Sequence, residues 1–107
     1  MMIFVMLTRL SPDALRSPGA LEELEQQSMA HIRKECPRVE WIQNLAVMGP
    51  YDYLDVFGAP DLDTAMKVAT IIRTFGHATT ELWPATQWKN YKELVRNLAV
   101  EPAGAGR

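Results

Sequence analysis

Asp55, Glu81 and His77 are the side chains in this sequence best suited to moving a proton. Asp55 and Glu81 stand in two stretches where polar and apolar residues interleave, Tyr51-Asp52-Tyr53-Leu54-Asp55-Val56-Phe57 and His77-Ala78-Thr79-Thr80-Glu81-Leu82-Trp83. A carboxylate held among aromatic rings loses hydration, its pKa rises, and it becomes a general acid or base near neutral pH. The competing reading is that each acid is solvated at a sheet edge or paired with Arg or Lys across an interface. His77 opens the second stretch, where it reaches the mouth of any cavity. Asp52 differs, because it follows Gly49-Pro50-Tyr51. Asp in a turn accepts hydrogen bonds from nearby backbone N–H groups, so Gly49, Tyr51 and Asp52 read as a structural turn.

Other reactive residue types form no constellation. His31 and His77 are far apart, with no His-x-x-x-His or Glu-x-x-His pattern, and a metal site needs three or four convergent ligands. No metal and no cofactor are expected. His31 flanks an apolar helical stripe and is expected to pack there. Cys36 precedes Pro37 at a helix C-terminus, whereas helix N-termini are what lower a thiol pKa. There is no phosphate loop, nucleophile elbow or dinucleotide fingerprint.

The elements that position these residues can be read from pattern. Met2 to Thr8 is a short apolar run rich in strand formers. Ser11-Pro12 and Ser17-Pro18 each suit a helix start, with Ser capping and Pro at the first helical position; a short turn and then a helix from Pro18 to Glu35 follow. Leu21, Leu24, Ser28, Ile32 and Cys36 form its buried stripe. Val39 to Met48 and Tyr51 to Gly58 read as strands joined antiparallel through Gly49-Pro50. Leu62 to Phe75 reads as a well-buried helix bearing Leu62, Ala65, Met66, Val68, Ala69 and Ile72, with Gly76 as its C′ residue. His77 to Trp83 is a last main strand. Trp88, Tyr91, Val95 and Leu98 mark an amphipathic C-terminal helix able to dock on the body. One domain over residues 1–99 is expected, with 100–107 as a flexible tail.

Strand–helix–strand–strand–helix–strand is the order of an α+β, ferredoxin-like βαββαβ fold, a four-stranded antiparallel sheet with two helices on one face. The other face is then open. Alternation places Leu54, Val56, Ile3, Val5, Leu7, Ala78, Thr80 and Leu82 toward the helices. It leaves Phe4, Met6, Thr8, Tyr51, Tyr53, Asp55, Phe57, His77, Thr79, Glu81 and Trp83 on the open face. The strand from Val39 is ambiguous. Such a face is too apolar for water and too polar for a plain core, so a homodimer pairing through it is expected.

Composition narrows the classes. The 107 residues suffice for one core, and the formal net charge is −2. No basic excess marks a nucleic-acid partner. A single cysteine excludes an internal disulfide and favours a cytoplasmic setting. No apolar segment is long enough for a membrane span.

Gly49-Pro50-Tyr51-Asp52 resembles the Gly-x-Tyr-Asp signature of the GYD domain family. The likeness extends to the following apolar strand, to Ala59-Pro60-Asp61 opening a helix, and to Gly76 with Thr79-Thr80-Glu81. It covers nearly all of residues 2–98. The resemblance implies a dimeric α/β barrel. It implies no single reaction, since the wider superfamily includes cofactor-free monooxygenases, isomerases, haem-binding enzymes and ligand-sensing domains. The combined expectation is a homodimer that holds a small apolar or aromatic molecule in a cavity at the sheet. Tyr53, Phe57, Trp83 and Thr79 would supply contacts, and Asp55 or Glu81 polarity. Catalysis by Asp55, Glu81 or His77, as in a cofactor-free monooxygenase or isomerase, and a purely ligand-sensing or structural role stay open beside it.

Overall fold

The computed structural model describes residues 1–14 and 18–98. Its elements are β1 (Met2–Leu10), α1 (Pro18–Glu35), β2 (Glu40–Ala46), β3 (Tyr53–Ala59), α2 (Leu62–Phe75), β4 (Ala78–Ala85) and α3 (Trp88–Arg96). The strands form one antiparallel sheet in the order β2-β3-β1-β4. This is the ferredoxin-like arrangement expected from the order of elements. The Ser17 cap and the 100–107 tail lie outside the described residues.

Local chemistry sets the element ends. Asp61 caps α2 by accepting the Thr64 N–H at 2.7 Å, and hydrogen bonding from the Thr64 side chain first, and from its N–H second, holds the Asp61 carboxyl below the ordinary pKa. α2 stops at Gly76 for a reason other than the one the sequence implies. Gly76 has φ −93°, so it is not left-handed; the left-handed residue is His77, at φ 50°. Gly76 is needed for close approach, because a Cβ there would stand 2.6 Å from the Ile72 carbonyl oxygen. β4 runs on through Pro84, which an edge strand tolerates because its outward side needs no N–H donor. β2 carries a bulge between Trp41 and Gln43, so Ile42 has no partner on β3.

The core lies between the sheet and both helices. Phe4, Met6 and Phe57 are fully buried and pack with Ile32 and Cys36 from the α1 side and with Ala65 and Val68 of α2. Phe4 and Phe57 are paired across the sheet and stack at 5.8 Å. These residues were expected on the open face, so the assignment for β1 and β3 is inverted. The register then puts Thr8, Tyr53 and Asp55 on the helix side as well, and Ile3, Val5, Leu7, Leu54 and Val56 on the open side. Both parities of β1 are apolar, so alternation alone could not choose between them. The helices choose: small Ala65, Val68 and Ala69 leave depth that only large side chains fill. β4 keeps its expected orientation, with Thr80 and Leu82 inward and Glu81 and Trp83 outward.

Two stripe positions of α2 also differ, since Leu62 and Met66 are about half exposed. The C-terminal helix does not dock on the body. Every residue of α3 is exposed, Trp88 at 68% and Leu98 just beyond it at 64%.

Candidate functional site

The sheet separates the candidate residues into two groups. The first lines a cavity of about 390 Å³ between α1 and the helix-facing side of the sheet. Its origin is visible in the strand pairs. Along β1 and β3 the large pair Phe4–Phe57 gives way to Met6–Asp55 and then Thr8–Tyr53. Ala46 on β2, Ser28 on α1 and Gly76 after α2 face the same space and are small. Side chains too short to meet across the layer leave a hollow at this end of the core. Trp41 forms its floor, set against Phe57 with ring centroids 5.4 Å apart.

Asp55 is the central polar group. It is paired with Asn44 on β2, whose Nδ2 donates to Asp55 Oδ1 at 2.7 Å. Burial pushes the Asp55 carboxyl above the ordinary range; the Asn44 hydrogen bond opposes this, and the negative charge of Glu25 adds to it. The neighbouring phenol of Tyr53 is raised too, first by burial and then by Glu25, Asp52 and Asp55.

Two hydroxyls in the cavity wall are buried without a partner. Thr8 is 1% exposed and Ser28 is 5% exposed, and neither Thr8 Oγ1 nor Ser28 Oγ makes a hydrogen bond. The contrast with Thr80, directly across the sheet from Thr8, is informative. Thr80 Oγ1 accepts from Arg73 Nε at 3.0 Å, and Arg73 also donates to its carbonyl. A buried hydroxyl without a partner costs about 1–3 kcal/mol, so Thr8 and Ser28 each have a hydrogen bond to offer at the cavity wall.

The second group lies on the open face. Glu81 accepts from the Tyr51 hydroxyl and, at 3.2 Å, from Trp83 Nε1. The Arg9 guanidinium lies 5.8 Å from the Tyr51 ring centroid, and its Nε donates to the Pro50 carbonyl at 2.7 Å. The hydrogen bond to Glu81 is the main cause that raises the Tyr51 phenol pKa. Glu81 is exposed, and this cluster has no enclosure.

The remaining candidates fall elsewhere. Phe57 is core and does not line the cavity. Thr79 is exposed, and His77 is an exposed turn residue beside a separate shallow recess. Asp52 makes backbone hydrogen bonds at the turn, to a partner distant in sequence. Its Oδ2 accepts the Leu10 N–H at 2.8 Å, while its own N–H donates to the Thr8 carbonyl at 2.8 Å. The Gly49–Asp52 turn is thereby fastened to the end of β1. His31 stacks on Phe75 at 3.8 Å, and burial raises the Cys36 thiol pKa, which suits neither for nucleophilic work. No group of three or more His, Cys, Asp or Glu side chains converges among the described residues. Nor is any described helix long and apolar enough to cross a membrane.

Thr8, Glu25, Ser28, Trp41 and Asn44 were not singled out from sequence as site residues. One signal was present: Ser28 is a polar residue inside the apolar stripe of α1.

The sequence profile of the GYD domain family matches residues 4–95, from β1 into α3. No curated protein matches the chain.

Proposed function

The chain belongs to the GYD domain family, and on that footing we propose that it binds a small, largely apolar or aromatic molecule in the cavity between α1 and the sheet. The observation that carries this reading is the cavity itself, about 390 Å³ with leucine, tryptophan and tyrosine walls and a few inward polar groups. Ligand sites are concave, mostly apolar and of this size, with a small number of polar groups fixing orientation. An apolar cavity of about 150 Å³ already admits benzene, so a ring bearing a side chain fits here.

Native mass spectrometry of protein isolated gently from cells tests this directly. A bound small molecule is expected, and Ala46→Phe, which fills the hollow from β2, should release it. Thermal shift with a panel of small aromatics provides the second arm. A ligand at one hundred times its Kd stabilises by about 2.7 kcal/mol. No adduct together with no shift across the panel overturns the reading.

A second reading draws on the raised pKa of Asp55. In a cofactor-free oxygenation or isomerisation, Asp55 would move the proton, and Asp55→Asn would abolish conversion of the recovered molecule even at concentrations that saturate the cavity. Glu81 and His77 have no part in this reading, because neither lines the cavity.

We further infer that the open face is covered by a second copy of the chain. Val5, Leu54 and Val56 form its apolar centre, with Leu45 and Trp83 at its flanks, 42% and 49% exposed. Such a patch supports association. Sedimentation as a monomer at micromolar concentration would overturn this.

A further inference from the structure

We propose that the polar end of the cavity's ligand is a protonated amine, so that the site selects cationic amines over neutral and anionic molecules of the same skeleton. This rests on the reading of the cavity as a ligand site.

The hydrogen-bonding inventory of the wall carries the argument. Asp55 on β3 and Glu25 on α1 contribute two carboxylates, which only accept when ionised. The charge of Glu25 is felt at both Asp55 and Tyr53, so the acids share one field. Asn44 donates an N–H to Asp55 Oδ1, and its side-chain carbonyl is one more acceptor in the wall. The Thr8 and Ser28 hydroxyls are buried and unpartnered, each with two lone pairs and one O–H donor to satisfy. Among the described lining residues none is Lys or Arg. The wall is therefore rich in acceptors and negative charge, with nothing cationic to balance it.

Three ligand heads can be compared against that wall. A carboxylate or phosphate accepts from the Thr8 and Ser28 hydroxyls but meets Asp55 and Glu25 with like charge and without a basic partner. A neutral hydroxyl satisfies Thr8 or Ser28 and leaves the acidic charge uncompensated. An ammonium supplies three N–H donors, pairs with a carboxylate through charge-assisted bonds, and lets the orphaned hydroxyls accept. Trp41 and Tyr53 line the same space and offer aromatic faces that attract a cation. The leucines of α1 and Ile72 take the apolar body.

The test is an NMR titration at neutral pH with 2-phenylethylamine, 2-phenylethanol and 3-phenylpropionate, following the Asn44 side-chain amide and the Gly76 backbone amide. Both groups line the cavity. The amine is expected to bind about tenfold more tightly than the alcohol, the difference between a charge-assisted and a neutral hydrogen bond, and the carboxylate most weakly. Asp55→Asn and Glu25→Gln should each shrink that preference, and together abolish it. Asp55→Asn preserves side-chain shape, and Glu25 is exposed on α1, so the variants are expected to fold; their amide spectra check this. If the alcohol or carboxylate moves the same resonances with equal or higher affinity, the amine proposal falls and the cavity reading stands. An amine preference indifferent to both substitutions also overturns the proposal. If none of the three probes moves either resonance, the cavity reading falls and takes the proposal with it.

Discussion

Asp52 ends the turn before β3 and Asp55 lies within that strand, yet their carboxylates act on stability with opposite sign. Asp52 satisfies the part-buried Leu10 N–H at 2.8 Å. Asp52→Ala leaves that donor without an acceptor and should cost about 1–3 kcal/mol. Asp52→Asn should recover most of the loss, since an amide oxygen also accepts. Urea unfolding at neutral pH separates the two variants by their midpoints. Asp55 is different, because burial raises its folded pKa. The folded chain then holds this proton more tightly than the unfolded chain. Stability is full below the unfolded carboxyl value of about 3.9 and falls as pH rises from there through the raised folded value. Asp55→Asn escapes that loss, so its Tm should equal the parent's in acid and exceed it at neutral pH. A neutral Tm below the parent's would mean that the charge is stabilised by something other than Asn44. Both residues could be chosen from sequence, one as a turn acceptor and one as an acid among aromatics. What escaped was Asp52's partner, because Leu10 becomes adjacent only when β1 and β3 pair.

At the scale of elements, the sequence located helices and strands well and misjudged what some residues do at their ends. Leu62 to Phe75 was legible as α2 because the Asp61 cap, the stripe and Gly76 agree. The reason for Gly76 was hidden, since it depends on the distance to the Ile72 carbonyl and to Ser28 Oγ, 2.6 and 3.2 Å from a Cβ placed there. Gly76→Ala should therefore destabilise by about 1–3 kcal/mol through overpacking, although its φ suits alanine. His77→Gly should stabilise by up to about 1 kcal/mol, because His77 occupies the left-handed region at φ 50°. Chemical denaturation of both variants measures the pair. If Gly76→Ala is neutral, the helix end has room to shift, and the close approach is not what fixes it. The facing of β1 was illegible for a related reason. Ile3, Val5 and Leu7 are as apolar as Phe4 and Met6, and only the depth left by α2 ranks them.

For the whole molecule, the fold could be read from the order of its elements, while its completeness could not. α3 has an apolar stripe that predicts docking, yet all its residues are exposed. The open sheet face is likewise apolar. If a second copy covers that face, association stabilises the folded state by mass action, and Tm rises with protein concentration. Val56→Glu places a charge at the centre of the face and should remove this dependence while leaving the cavity intact. A Tm independent of concentration in the parent would count against the dimer.

The bulge at Ile42 and the proline at position 84 sit on β2 and β4, the two outer strands of the order β2-β3-β1-β4. Each outer strand thus carries one feature that spoils it as a template for a further strand. Growth by edge-to-edge addition, the route from a soluble sheet to a fibre, is obstructed on both sides. Straightening β2 by deleting Ile42 would remove one of those guards, and polymerisation would then be a hazard even if the core were unharmed.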